Sequence, residues 1–219
     1  MRRRYHASRL FFAVSALAFS LALRAGAADG NVVVVVPPPG ISFASLTGPD
    51  GSPYLGHTEG DFVVTPTTTD WFKSITTYGN PVPSIYLGPL NSPGVGVVQI
   101  TDSVGLFRLS AFDYSSNNGN QDNSLPTVYD IQGFLGPNLQ YEETGSLMNS
   151  FSPFSFNTLT TANPSVLVDA LLIELIPGQH VTSVNLDNIR VATVPEPSSL
   201  LLVACGLAGL LHWRKAARR

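Results

Sequence analysis

His57, Glu59 and Asp61 fall within the run HTEGD, and an imidazole beside two carboxylates has the components of an acid–base pair. The same run also has the composition of a solvated turn, and it is read as one. Asp113, Ser115 and Asn117 begin like a calcium-binding loop. The glycine such a loop requires comes late, at Gly119, and its twelfth position holds Ser124 in place of a bidentate Glu. SSNNGNQDNS therefore reads as a polar hairpin loop. His57 and His180 are the only histidines in residues 28–194, too few for a zinc site without acids brought from afar. Asp169 shares strand parity with Leu167, Leu171 and Ile173 and is expected to point inward as a capped structural acid. Glu142 and Glu143, in YEETG, are expected on a solvated turn. The partners in a glycosidase carboxylate pair are set by the fold and not by spacing. With no nucleophile elbow and no phosphate loop, no catalytic constellation is recognisable, and the chain is not read as an enzyme.

Aromatic residues are the better binding signal. Trp71 and Phe72 follow the polar run TTTD, with Tyr78 a short way on. Flat rings beside polar groups can stack on sugars, so Trp71 and Tyr78 are the candidate ligand-stacking residues. Core packing is the competing reading of Trp71.

Charge narrows the partners. The chain has 219 residues and a formal net charge of −3, but its cations are gathered at the two ends. Residues 28–194 hold only Lys73, Arg108 and Arg190 against 14 acids, a formal charge of −11. So acidic a body repels phosphate backbones, which argues against a nucleic-acid partner. The single cysteine, Cys205, lies in the terminal apolar run, so the body holds neither a disulfide nor a thiolate nucleophile.

The elements that would position these residues are strands. Gly, Pro, Asn, Ser and Thr punctuate short apolar runs, with candidate strands at 32–36, 41–46, 61–65, 97–101, 106–114, 127–134, 140–143, 155–159, 166–176 and 184–192. Phe107, Leu109 and Ala111 alternate with Arg108 and Ser110, as on a sheet with one wet face. The expected fold class is all-β, a single β-sandwich over residues 28–194, flanked by an N-terminal signal helix and a C-terminal transmembrane helix.

The two ends read as addresses. Residues 1–27 combine Arg2–Arg4 and Arg9 with an apolar run over 10–23 and a small-residue cut site formed by Ala25, Ala27 and Ala28. That is the pattern of a secretory signal peptide, which makes the Sec machinery and signal peptidase the expected partners. In residues 195–219 the strictly apolar stretch 200–211 would span about 18 Å as a helix, against a hydrocarbon core of roughly 30 Å. Extending it over 198–213 gives about 24 Å, enough for a thin or tilted insertion. The terminal RKAARR would stay cytoplasmic, which puts residues 28–194 on the outer side.

Pro195, Glu196 and Pro197, followed by the short apolar run and the basic cluster, resemble the PEP-CTERM sorting signal of Gram-negative exporters. The resemblance implies transient membrane insertion and processing by an exosortase, an integral-membrane enzyme. It also implies delivery to the cell surface or the extracellular space, in the company of exopolysaccharide. Two prolines stiffen the junction and cannot continue a helix, so the motif would stand exposed outside the membrane. The blocks GDFVV, GNPVPS, GLFRL, YDIQGF and NLDNIRV resemble the galactose-binding-like jelly roll of carbohydrate-binding modules. That resemblance implies non-catalytic carbohydrate or exopolysaccharide interaction. It also implies a structural calcium in some members, for which Asp187 fits the last-strand ligand position, while 41–44 offers no acid for the first. A purely structural or adhesive matrix protein and a glycan-acting hydrolase are the alternatives.

Overall fold

The computed structural model describes residues 40–88, 94–119, 123–150 and 155–194. The expected signal peptide with its cut site, the strand at 32–36, and the sorting tail with Pro195, Glu196 and Pro197 lie outside the described residues.

Among the described residues the chain forms twelve strands and no helix. They are β1 (His57–Glu59), β2 (Phe62–Pro66), β3 (Trp71–Ser74), β4 (Ser84–Leu87), β5 (Gly96–Asp102) and β6 (Phe107–Asn117). The second half adds β7 (Thr127–Leu135), β8 (Asn138–Leu147), β9 (Asn149–Ser150), β10 (Asn157–Thr160), β11 (Ala170–Ile176) and β12 (Ser183–Thr193). The first sheet has the order β1-β2-β5-β11-β7-β8 and the second β10-β6-β12-β4-β3, with β9 pairing alongside β6. All pairings are antiparallel except the short β6–β9 contact. This is the expected all-β sandwich.

Burial follows the pleat. In β5, β7 and β11 every second residue is buried, and Val98, Ile100, Ile131, Leu171 and Ile173 form the inner face of the first sheet. Trp71, Ile85, Leu87, Leu109, Val184 and Leu186 answer them from the second. The segment before β1 is not the strand expected at 41–46. It makes two isolated bridges, Ile41 to Ile189 and Pro53 to Phe72, and delivers Ile41, Phe43 and Leu46 to the core through turns.

Two local devices shape the sheets. The hairpin β7–β8 turns on Gly136-Pro137, where Gly136 adopts φ 57, a left-handed value that suits glycine. In β12 the register with β6 slips by one residue between Asp187 and Arg190, and Asn188 sits at φ 43. A bulge of this kind returns Arg190 to the sheet face that Asp187 already occupies.

Candidate functional site

The outer face of the second sheet is polar and largely covered. Residues paired across antiparallel strands share a face, so Phe72, Tyr86, Asn185 and Ser115 form one row over β3, β4, β12 and β6. Ser74, Ser84, Asp113, Ser115, Asn185 and Asp187 are all buried. Part of the cover is the strap of residues 75–83 between β3 and β4.

That strap is clamped at three places. Asp50 accepts hydrogen bonds from the amides of Ile75 and Thr76 and from the hydroxyls of Thr76 and Thr77. Those donors, Thr76 foremost, hold its carboxyl down at about 2. Next, the cross-strand pair Ser74 and Ser84 grips Tyr78 from both sides. Ser74 Oγ accepts from the Tyr78 amide at 2.8 Å, and Ser84 Oγ donates to the Tyr78 carbonyl at 2.5 Å. Finally, Asp187 Oδ2 accepts from the Asn80 amide at 2.7 Å, and Asn188 Nδ2 donates to the Asn80 carbonyl.

Beneath the clamped strap opens a pocket of about 200 Å³, lined by Asp50, Lys73, Tyr78, Tyr86, Asn117 and Asn185 among others. Tyr78 is 46% exposed, and the ring of Tyr86 is stacked on Phe72 at 5.7 Å. Burial, followed by the charge of Asp50, raises the Tyr86 phenol above its usual range. Lys73 Nζ donates to the Thr47 carbonyl at 3.0 Å. Aromatic walls over a floor of amide and hydroxyl groups suit a small polyhydroxylated ligand.

Beside the pocket lies a buried ionic cluster. Arg190 forks onto Asp113 at 2.8 and 3.1 Å. Thr158 and Asn188 also donate to that carboxylate, at 2.6 and 3.0 Å. Burial pushes Asp113 up, but Arg190 and the other donors outweigh it and leave the carboxyl below its usual range. Asp187 is instead lifted to about 7, chiefly by burial and against the pull of the Asn80 and Asn188 amides.

Several expectations are corrected by these positions. Trp71 is fully buried, because its pairing with Leu87 turns it to the inner face, where Gly96 leaves room for its ring. It is core, and its ring has no face to offer a ligand. Asp187 does not fit calcium. Both its oxygens accept backbone amides, Arg190 supplies the local positive charge, and a hard cation wants about six to eight oxygen ligands. Among the described residues no three His, Cys, Asp or Glu side chains gather as metal ligands. Asp113, Ser115 and Asn117 alternate along β6 and do not form a loop. Asp169 is half-exposed, with Val168 taking the inward place, and accepts from the Gly136 amide at 2.7 Å. Glu143 lies in β8 and holds Thr161 Oγ1 at 2.6 Å and the Ala162 amide at 2.9 Å.

HTEGD is a solvated turn only at Gly60 and Asp61, while His57–Glu59 form β1. His57 Nδ1 lies 2.8 Å from the Tyr54 hydroxyl and Nε2 lies 3.4 Å from Glu59, which accepts from the Ser42 amide and hydroxyl at 2.9 and 2.5 Å. Burial lowers the His57 pKa against the pull of Glu59. This network ties the segment before β1 to the sheet edge, and Asp61 stands outside it, exposed.

Of the residues lining this pocket, sequence reasoning named Tyr78 and did not name Tyr86, Lys73, Asn185 or Asp50. Tyr86 carried a signal, since SIYL alternates outward at that residue; the serine clamp carried none.

Among solved structures of similar outline are the enzymatically active domain of tailspike protein 4 from bacteriophage CBA120 and a non-crystalline-cellulose-specific carbohydrate-binding module. The first is 14% identical with a TM-score of 0.40 over 61% of this chain, which spans only 19% of that domain's length. The second is 10% identical with a TM-score of 0.40, over 58% of this chain and 82% of the module. A Stig cyclase from Fischerella sp. TAU is 14% identical with a TM-score of 0.39, over 73% and 97% of the two chains. No curated protein sequence matches the chain. One family model does match, described as the PEP-CTERM protein-sorting motif. Residues 193–219 carry that motif, which implies that the protein is exported, anchored in the membrane by its C-terminus and then processed by an exosortase.

Proposed function

We propose that the processed protein resides at the cell surface or in the extracellular matrix of a Gram-negative bacterium, and that its sandwich binds exopolysaccharide without catalysis. The observation that carries this reading is the strap over the second sheet. It holds Tyr78, by both its amide and its carbonyl, at a pocket walled also by Tyr86. A backbone pinned on both sides of the peptide carries that ring to the pocket wall without loop ordering on binding, which is what a weak, repeated surface interaction needs. The test is a pull-down of the protein with a panel of extracellular polysaccharides, the producer's own included. Retention on at least one polymer, lost in Tyr78→Ala, is expected; no retention on any of them would overturn the proposal.

A second reading, an adhesive matrix protein without a ligand site, draws support from the burial of Trp71, which withdraws the larger of the two expected stacking rings. It expects capture of a second copy or of a partner protein, unaffected by Tyr78→Ala.

A further inference from the structure

We propose that the pocket beneath the 75–83 strap takes one uncharged sugar ring, the terminal residue of a neutral glycan chain, and not an internal stretch or an acidic sugar. The proposal rests on the exopolysaccharide reading above and narrows it.

Size comes first. At about 200 Å³ the pocket is smaller than the roughly 300–1,000 Å³ typical of drug-sized ligands, so it holds a single ring. Shape agrees with size. The strap is tied down by Asp50, by Ser74 with Ser84, and by Asp187 with Asn188, so a polymer cannot open a through-going groove without breaking these bonds together. A chain end can enter where a mid-chain segment cannot.

Charge sets the chemical class. The charged side chains of the lining are one acid and one base, Asp50 and Lys73. Asp50 spends its oxygens on four donors from residues 75–77, and Lys73 reaches the Thr47 carbonyl. The body around them carries a formal charge of −11, a field that works against uronic acids or sulfated sugars. What remains for recognition is uncharged. Two tyrosine rings offer apolar faces, while Asn117, Ser183 and Asn185 offer groups of the kind that bond ring hydroxyls.

The experiment uses the full chain and two readouts. Methyl glycosides of neutral hexoses and pentoses, and the corresponding uronic acids, are titrated by calorimetry or ligand-observed NMR. In parallel, a retained neutral polysaccharide is sheared, which multiplies chain ends at constant mass, and the amount of protein bound per gram is measured. The expected result is saturable binding of at least one neutral glycoside, weaker binding of its uronic acid, and more protein bound per gram after shearing. Tyr78→Ala and, separately, Tyr86→Ala lower affinity roughly tenfold or more, whereas Tyr78→Phe keeps most of it. If polymer binding is unchanged by shearing and no neutral glycoside competes, the terminal-ring proposal falls while exopolysaccharide binding stands. Equal binding of the uronic acid overturns the charge argument. Full binding by both alanine variants places the site elsewhere and also overturns the proposal. Absence of binding to every polymer and every glycoside removes the broader reading, and this one with it.

Discussion

Asp113 and Asp187 face each other in register on β6 and β12, two buried carboxylates on one patch of sheet. Like charges directly opposite repel, and the fold relieves this by giving them unequal partners. The bulge after Asp187 aims Arg190 at Asp113, which also collects Thr158 and Asn188, whereas Asp187 has two backbone amides. One carboxyl therefore titrates low and its neighbour near neutrality, an outcome of unequal environments and not of residue type.

Asp187 gives the folded protein an unusual pH profile. Its carboxyl is at about 7 in the fold and at 3.8 in the open chain, so between these values the folded state binds more protons. Stability therefore falls as pH rises across that window, by at most on the order of 4 kcal/mol. Asp113 works the other way, its contribution being lost as pH falls below the ordinary carboxylate range, and so does His57, whose burial opposes its protonation as pH falls below 6.5. Urea unfolding is expected to give higher stability near about pH 5 than near about pH 8, with the slope flattened in Asp187→Asn. A slope over this interval that is the same in wild type and Asp187→Asn would contradict the assignment.

Removing Arg190 leaves Asp113 charged, buried and short of its main partner. Loss of one member of a buried pair costs about 3–5 kcal/mol, so Arg190→Ala is expected to lower stability by roughly 3 kcal/mol in chemical denaturation. Arg190→Lys should recover only part of this, because an ammonium cannot make the two-pronged contact. Equal stability of wild type and Arg190→Ala would show that the pair contributes nothing net.

What could be read from the sequence, and what could not, divides along physical lines. The alternation in FRLSA and TVYDIQGF records which residues meet the core, and the strands β5, β6, β7, β11 and β12 lie close to where it places them. The short β3 and β4 leave no such mark, since WFKS and SIYL are too brief to show a period and the aromatic pair in the first reads equally as a binding surface. The block NLDNIRV stood out as a pattern, yet its purpose is the bulge that re-aims Arg190, and a one-residue slip has no signature without the partner strand. The clamp on Tyr78 was illegible for the same reason: Ser74 and Ser84 become neighbours only through strand pairing.

Trp71 and Tyr78, paired by sequence reasoning, should separate sharply on mutation. Trp71 is wholly buried, and Trp71→Ala is expected to cost about 3–5 kcal/mol. Trp71→Phe should cost less, because the indole Nε1 has no hydrogen-bond partner to lose. Tyr78→Ala removes a half-exposed ring and should cost under about 1 kcal/mol while abolishing polysaccharide retention. Guanidinium unfolding of the three variants checks the ranking, and a stability loss in Tyr78→Ala as large as in Trp71→Ala would make that ring structural.

The hairpin β7–β8 carries a reciprocal arrangement in which Gly133 pairs with Tyr141 and Gly145 with Tyr129, each ring lying over the glycine of the other strand. A Cβ at Gly133 would collide with the Tyr141 ring, and one at Gly145 would come within 2.6 Å of the Tyr129 hydroxyl. Neither glycine has a left-handed φ, so the requirement is space and not backbone freedom. Gly133→Ala and Gly145→Ala are each expected to destabilise by about 1–3 kcal/mol. Gly105→Ala, where an added Cβ meets nothing within 4 Å, should stay within about 0.5 kcal/mol. The decisive measurement is a double-mutant cycle: in a Tyr141→Ala background the cost of Gly133→Ala should shrink, since the ring it would strike has gone. An undiminished penalty there would mean that Val168, whose Cγ1 would lie 2.7 Å from the same Cβ, and not the ring, demands the glycine.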